Sequence, residues 1–202
     1  MRRISNTRDL VYRIVRCIAP TLVGGKPATV MNISNENGGL LDVWDRSRAD
    51  IFTGSQIDYY ELKRTDKNAI VIFFNRSQLD RLLARIQVLR FLSDCGYESG
   101  SAGSLGVDYV LSVLKHRYAA GCPHEIGIFL GIPLKDVKGF MGLSSLKTTK
   151  RGMWCIYGNP KVSEKRMNEY RHAKNMVAGR LFAGENPFNI IRNGEIRVFE
   201  LS

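Results

Sequence analysis

The run Ala69-Ile70-Val71-Ile72-Phe73-Phe74 limits what this chain can fold into more than any other stretch. It is continuously apolar, rich in β-branched and aromatic residues and short, which is the pattern of a strand covered on both faces. The sequence around it predicts helices and further strands. Thr7 serves as a candidate N-cap for a helix to Ile18, with Leu10, Ile14 and Cys17 at helical spacing and Pro20 as its stop. Ala28 to Ile33 reads as a second strand, followed by a polar turn from Asn35 to Gly39, while Leu40 to Lys67 carries no decisive period. Ser77, with Asp80 three residues on, opens a helix whose Leu79, Leu82, Leu83, Ile86, Leu89 and Leu92 form an apolar stripe ending near Gly96.

Beyond the loop Glu98-Ser99-Gly100-Ser101-Ala102-Gly103-Ser104, the spacing predicts a helix capped by Ser104 and running through Val107, Val110, Leu111 and Leu114 to Tyr118. Met153 to Tyr157 reads as a strand. Asn159-Pro160 reads as the start of a long basic helix that Gly184 ends. Asn193-Gly194 is a type I′ turn signal and predicts a C-terminal hairpin over about 188–201. Strands and helices mix without a βαβ rhythm, so the expected class is α+β: a small, mostly antiparallel sheet packed with several helices in a single domain over residues 1–202.

Charge narrows the partner classes. Thirty Lys and Arg against 19 Asp and Glu give a net charge of +11, which favours an anionic small molecule, nucleic acid or an acidic protein. Neither the aromatic and glycine signature of an RNA-binding sheet nor a helix-turn-helix is evident, so nucleic-acid association is expected to be weak and indifferent to sequence. No apolar run reaches the ~18 residues of a membrane helix, and the N-terminus carries no signal-peptide pattern. Cys17, Cys95, Cys122 and Cys155 are scattered without a close-spaced pair. The expected setting is cytoplasmic, with reduced thiols and no membrane association.

Chemistry concentrates in Gly121 to Phe140, GCPHEIGIFLGIPLKDVKGF. Two short helix starts explain most of it. Cys122 is placed as N-cap with Pro123, His124 and Glu125 in the first turn, and Gly131 then ends that helix before Pro133 begins another with Asp136 in its first turn. Leu134, Val137 and Phe140 are predicted to point inward. A helix start has no need of His124, and the positive end of a helix favours a neutral imidazole that can accept a proton or a hydrogen bond. The residue four beyond His124 is Ile128, so the paired-histidine metalloprotease pattern is absent and no metal ligand set is assigned. His124 and Glu125 are therefore the candidate catalytic pair.

Two other stretches add candidate ligand-binding groups. In Ala19 to Ala28, APTLVGGKPA, the Gly24-Gly25 backbone and Lys26 could receive an anion, although the spacing is not that of a P-loop and a plain connecting turn is the favoured reading of the stretch. Tyr157 at a strand end and Tyr170 and Arg171 on the long helix complete the set, Arg171 through its planar fork and Tyr170 either here or as core packing.

These stretches, together with Gly96-Tyr97, the Gly152 to Gly158 segment GMWCIYG, and Tyr170-Arg171, resemble in order the landmarks of the bacterial DUF3793 family over about Ala19 to Leu181. The resemblance implies a bacterial protein of a family of unknown function, without a reaction. Ile132 stands where the family pattern has tyrosine and Arg151 where many relatives carry cysteine, which speaks against thiol redox chemistry. The expected function is binding of, or action on, an anionic metabolite or cofactor in a pocket around the His124/Glu125 helix start. That pocket would include Lys26, Asp136, Tyr157, Tyr170 and Arg171. The alternative is a non-enzymatic nucleic-acid or acidic-protein binding module using the basic helices. The cofactor is not specified.

Overall fold

The computed structural model describes residues 6–98 and 105–193. In chain order the elements are α1 (Thr7–Val23), β1 (Ala28–Ser34), a 3-10 turn (Asn35–Asn37), α2 (Leu40–Phe52), β2 (Asp58–Arg64), β3 (Asn68–Phe74), α3 (Arg76–Leu83), α4 (Ile86–Asp94) and α5 (Val107–Tyr118). They continue with α6 (Ile126–Phe129), α7 (Leu134–Phe140), β4 (Thr148–Arg151), β5 (Cys155–Tyr157), α8 (Lys161–Phe182) and α9 (Pro187–Arg192). The class is α+β, as the mixed pattern predicts.

β3 is the centre of an antiparallel sheet ordered β1-β3-β2, and Ile72 sits opposite both Val30 and Tyr60. Strand alternation divides its side chains between two cores. Ala69, Val71 and Phe73 join the layer built by α1, α2, α8 and α9, whereas Ile72 and Phe74 join the layer of α3 to α7. A helical layer on each face is why this strand has no polar side. Val71, Ile72 and Phe73 are fully buried, and each such side chain contributes roughly 1.5–3 kcal/mol.

The ambiguous segment contains α2 and β2, tied together by Trp44. Its ring packs edge-on to Tyr59 and Phe73 at 5.0 and 5.7 Å, and its Nε1–H donates to Glu61 at 2.8 Å. Arg48 pairs with the same carboxylate at 2.7 Å, so β2 reads as polar in sequence while gripping the core through one face.

Several boundaries differ from the sequence expectation. Asn6 caps α1, and Pro20 lies inside it, one turn from the end. The turn beyond Pro20 is held by burial of Thr21, Leu22 and Val23, which offsets the hydrogen bond that a proline cannot donate. The predicted long helix from Ser77 is two helices. Asn75 caps α3, and Arg85 is extended (φ −77, ψ 117), so the chain turns before α4 and Ile86 emerges 58% exposed instead of joining the stripe.

Gly106, not Ser104, occupies the cap position of α5; Ser104 lies outside the described residues. The single strand expected from Met153 is shortened to β5 and pairs with β4 as a second small sheet. At the C-terminal end, Asn186 caps α9 with Pro187 in its first turn, so the first arm of the expected hairpin is helical, and the rest of it falls outside the described residues. Ile190 and Ile191 are buried against α1, which explains why that apolar pair prefers the helix.

Candidate functional site

The histidine stretch forms a turn followed by a helix that starts later than expected. The Ile126 N–H donates to the Pro123 carbonyl, and α6 begins at Ile126, so Cys122 does not cap it. His124 is exposed, with its ring edge-on to Phe140 at 5.1 Å. Phe140 is 57% exposed and does not point inward as the spacing suggested. Glu125 is buried and accepts hydrogen bonds from Tyr97 Oη at 3.2 Å and from Arg117 Nε, with the Arg117 guanidinium also lying over the Tyr97 ring. Burial and the neighbouring Glu125 carboxylate push the Tyr97 hydroxyl well above its ordinary range. This is an internal ion pair that fastens α5 to the start of α6.

Asp136 is also buried, and both of its oxygens are occupied. Oδ1 accepts from Lys135 Nζ at 2.6 Å and from the Tyr157 N–H at 2.9 Å; Oδ2 accepts from Trp154 Nε1 at 2.9 Å and Ser163 Oγ at 2.5 Å. Burial alone would raise this carboxyl, but the hydrogen bonds outweigh it and hold it below its ordinary value. Asp136 thus joins α7, β5 and α8 at one point. The Tyr157 ring lies flat on Gly139, where any Cβ would come within 2.3 Å of Cγ.

A cleft opens at the other end of the same stretch, beside Gly131. It encloses about 250 Å³ between the Gly24-Gly25 turn, α3, the Arg85 bend and α8. Arg81, Arg85 and Arg166 line it, along with Gln78, Gly131, Glu169 and Tyr170. Gly131 (φ +75) carries the left-handed turn that ends α6, and its carbonyl accepts from Arg166 Nη1 at 2.6 Å and Tyr170 Oη at 3.4 Å. Arg166 and Tyr170 are one turn apart on α8 and reach the same oxygen. The Gly24-Gly25 turn is held in turn by Pro20, whose carbonyl accepts from both the Gly24 and Lys26 N–H groups.

Among the described residues, none of Arg81, Arg85 and Arg166 forms an ion pair with a carboxylate. By contrast, Arg48, Arg64, Arg76, Arg117 and Arg180 are all paired. Burial raises the Tyr170 hydroxyl to about 12, so it remains a hydrogen-bond donor through the neutral range. A second cleft of about 410 Å³ adjoins the first, sharing Leu82, Arg85 and Arg166.

Lys26 sits beside this assembly with its ammonium 5.6 Å from the Tyr170 ring centroid. Burial lowers it to about 8, the Cys17 thiol acting in the opposite direction and Lys174 in the same one. Of the sequence candidates, Tyr170 lines the arginine cleft and Lys26 flanks it, while His124, Glu125, Asp136 and Tyr157 line neither of the two clefts. Arg171 also lies outside both; it is exposed and donates to Asn168 at 2.7 Å. The three cleft arginines escaped the sequence reading. The available signals were Arg81 and Arg85 four residues apart, and Arg166 one turn before Tyr170.

Three of the stretches that carry the family resemblance therefore meet at one place, through Gly24-Gly25-Lys26-Pro27, Gly131 and Tyr170. Among the described residues, no group of three or more His, Cys, Asp and Glu could hold a metal ion, and no helix is long and apolar enough to cross a membrane. Neither the curated proteins nor the solved structures contain a match to this chain. The family model described as Protein of unknown function (DUF3793) matches residues 14–191, a span wider at both ends than the resemblance read from the sequence, and the chain belongs to that family.

Proposed function

We propose that this is a bacterial, cytoplasmic protein that binds a small anionic ligand, metabolite or cofactor, in the cleft beside Gly131. The observation carrying this reading is the set of three arginines around one concavity that have no carboxylate partner among the described residues. Guanidinium groups have planar forks suited to carboxylate and phosphate oxygens. Among the described residues, Glu169 is the one acid in the lining, which stays net positive. Arg166 and the buried Tyr170 both donate to the Gly131 carbonyl, so part of the site is fixed before a ligand arrives. Compared with the sequence expectation, the proposed pocket moves from the His124 end of the histidine stretch to its Gly131 end. Tyr170 stays within it and Lys26 beside it.

The test is thermal unfolding and calorimetry with inorganic phosphate, pyrophosphate and citrate on wild type, Arg81→Ala and Arg85→Ala. A ligand at 100 times its Kd raises stability by about 2.7 kcal/mol. Both substitutions should weaken binding while leaving the unliganded melt nearly unchanged. Equal anion affinity in wild type and both variants would refute the site.

A second reading rests on a separate open groove between α1 and α8, lined by Arg13, Arg16 and Lys174 together with Tyr12 and Cys17. It fits a polyanion such as nucleic acid better than a small molecule. Binding there would weaken with log salt at a slope of about −0.9 per neutralised phosphate on duplex DNA. A Kd for duplex DNA that persists at physiological salt and rises in an Arg13→Ala, Arg16→Ala double variant would make this groove the principal site.

A further inference from the structure

The cleft at Gly131 does not end at its arginines. Beyond Arg85 and Arg166 it runs into the adjoining trough, whose lining changes from guanidinium and backbone to Ile86, Val88, Ile128, Ile132, Pro133 and Leu134. Ile86 stands 58% exposed at the first position of α4, on the rim of a concave surface where these aliphatic groups alternate with Arg85, Gln87 and Arg166. The Arg85 bend produces the arrangement. By interrupting the helix, it places a cation and an aliphatic side chain in successive positions facing adjoining cavities.

We infer that the ligand is amphipathic, with a carboxylate or phosphate head among Arg81, Arg85 and Arg166 and an apolar body in the trough. This inference rests on the anionic cleft proposed above and specifies its ligand class. A volume of about 410 Å³ accommodates an apolar body of about a dozen heavy atoms, judged against the ~30 Å³ share of a water molecule. That is the size of a single medium-length alkyl chain or an aryl group, and too small for the paired chains of a membrane lipid. The charge gradient sets the orientation, with the head toward Gly24-Gly25 and the body toward Pro133.

The experiment is calorimetric titration of the purified protein with inorganic phosphate, a series of n-alkyl phosphates from ethyl to octyl, the matching n-alkanoates, and 1-octanol. Affinity should increase about two- to fourfold per methylene throughout the series, the upper value being 0.8 kcal/mol converted at 25 °C, because an octyl chain still fits within the trough. The better of the phosphate and carboxylate series identifies the head group. Ile86→Ser should flatten the dependence on chain length, and Arg85→Ala should weaken every member of both series.

If inorganic phosphate binds as tightly as octyl phosphate, the amphipathic assignment is overturned while the anionic cleft survives. If octanol matches octyl phosphate, or if nothing binds, both readings fail.

Discussion

Gly131 is where the fold and the proposed site can be perturbed together and the causes separated. At φ +75, an alanine suffers steric repulsion that glycine avoids, about 1–2 kcal/mol. A more specific obstacle is Tyr170, whose Oη would lie 2.2 Å from the new Cβ, with Pro27 Cδ at 3.0 Å. The ring is buried under Lys26 and cannot swing into solvent freely, so it must shift against close packing, at a further 1–3 kcal/mol. Gly131→Ala should therefore lose about 2–5 kcal/mol. In a Tyr170→Phe background the hydroxyl is gone and the nearest remaining ring atom is Cζ at 3.4 Å, an ordinary contact. There the same substitution still meets Pro27 Cδ at 3.0 Å, and should cost about 1–3 kcal/mol, less than in the wild-type background. Urea unfolding of the four proteins gives the coupling directly. An identical cost in both backgrounds would show that the tyrosine hydroxyl is not the obstacle, and no cost in either would remove the left-handed turn from the argument.

Three further outcomes are expected. Lys26 is depressed from 10.5 to about 8, so the penalty for burying its charge is fully present below pH 8 and is lifted as pH rises to about 10.5; stability should rise across that window. Lys26→Met should stabilise by about 2 kcal/mol at pH 7, the ~3 kcal/mol of burial less the lost contact with Tyr170, and should flatten the pH dependence in denaturant unfolding; parallel curves would contradict this. Asp136→Ala should destabilise by about 3–5 kcal/mol, because four donors lose a buried acceptor. Since the Asp136 carboxyl is held below its ordinary value, its contribution is present above that value and fades as pH falls through the depressed one; acid unfolding of the variant should lack that component. His124→Ala should change stability by no more than about 0.5 kcal/mol, as expected for an exposed side chain with one ring-edge contact, and a thermal melt showing a large loss would contradict that placement.

How far the sequence revealed this protein depended on whether the signal was periodic. β3 was legible because a strand buried on both faces excludes polar residues, and the α8 region was legible because Gly184 (φ +83) and the basic run mark its extent. β2 was not, because its Glu61 and Arg64 serve an ion-pair network above a half-buried face. Gly131 and Pro133 were read correctly as a stop and a start, yet the cleft they help to form was not. Between the helical walls α3 and α8, the cleft is closed by interruptions of regular structure: the Gly24-Gly25 turn, the bend at Arg85 and the left-handed turn at Gly131. Periodicity treats such points as punctuation, and local chemistry then drew attention to His124 and Glu125, one of which proved exposed and the other internally paired. Where the interruptions meet is decided by the sheet. β1 leads away from the Gly24-Gly25 turn, and β3 leads to the α3 helix that carries Arg81; their antiparallel register sets Ala28 opposite Phe74, bringing those two segments to the same end of the sheet. The Pro27 carbonyl then accepts from the Asn75 N–H at 3.0 Å, locking the turn to the start of the helix. The most regular strand in the sequence thus positions its least regular segments, and the arginine site follows from strand pairing more than from any motif that lines it.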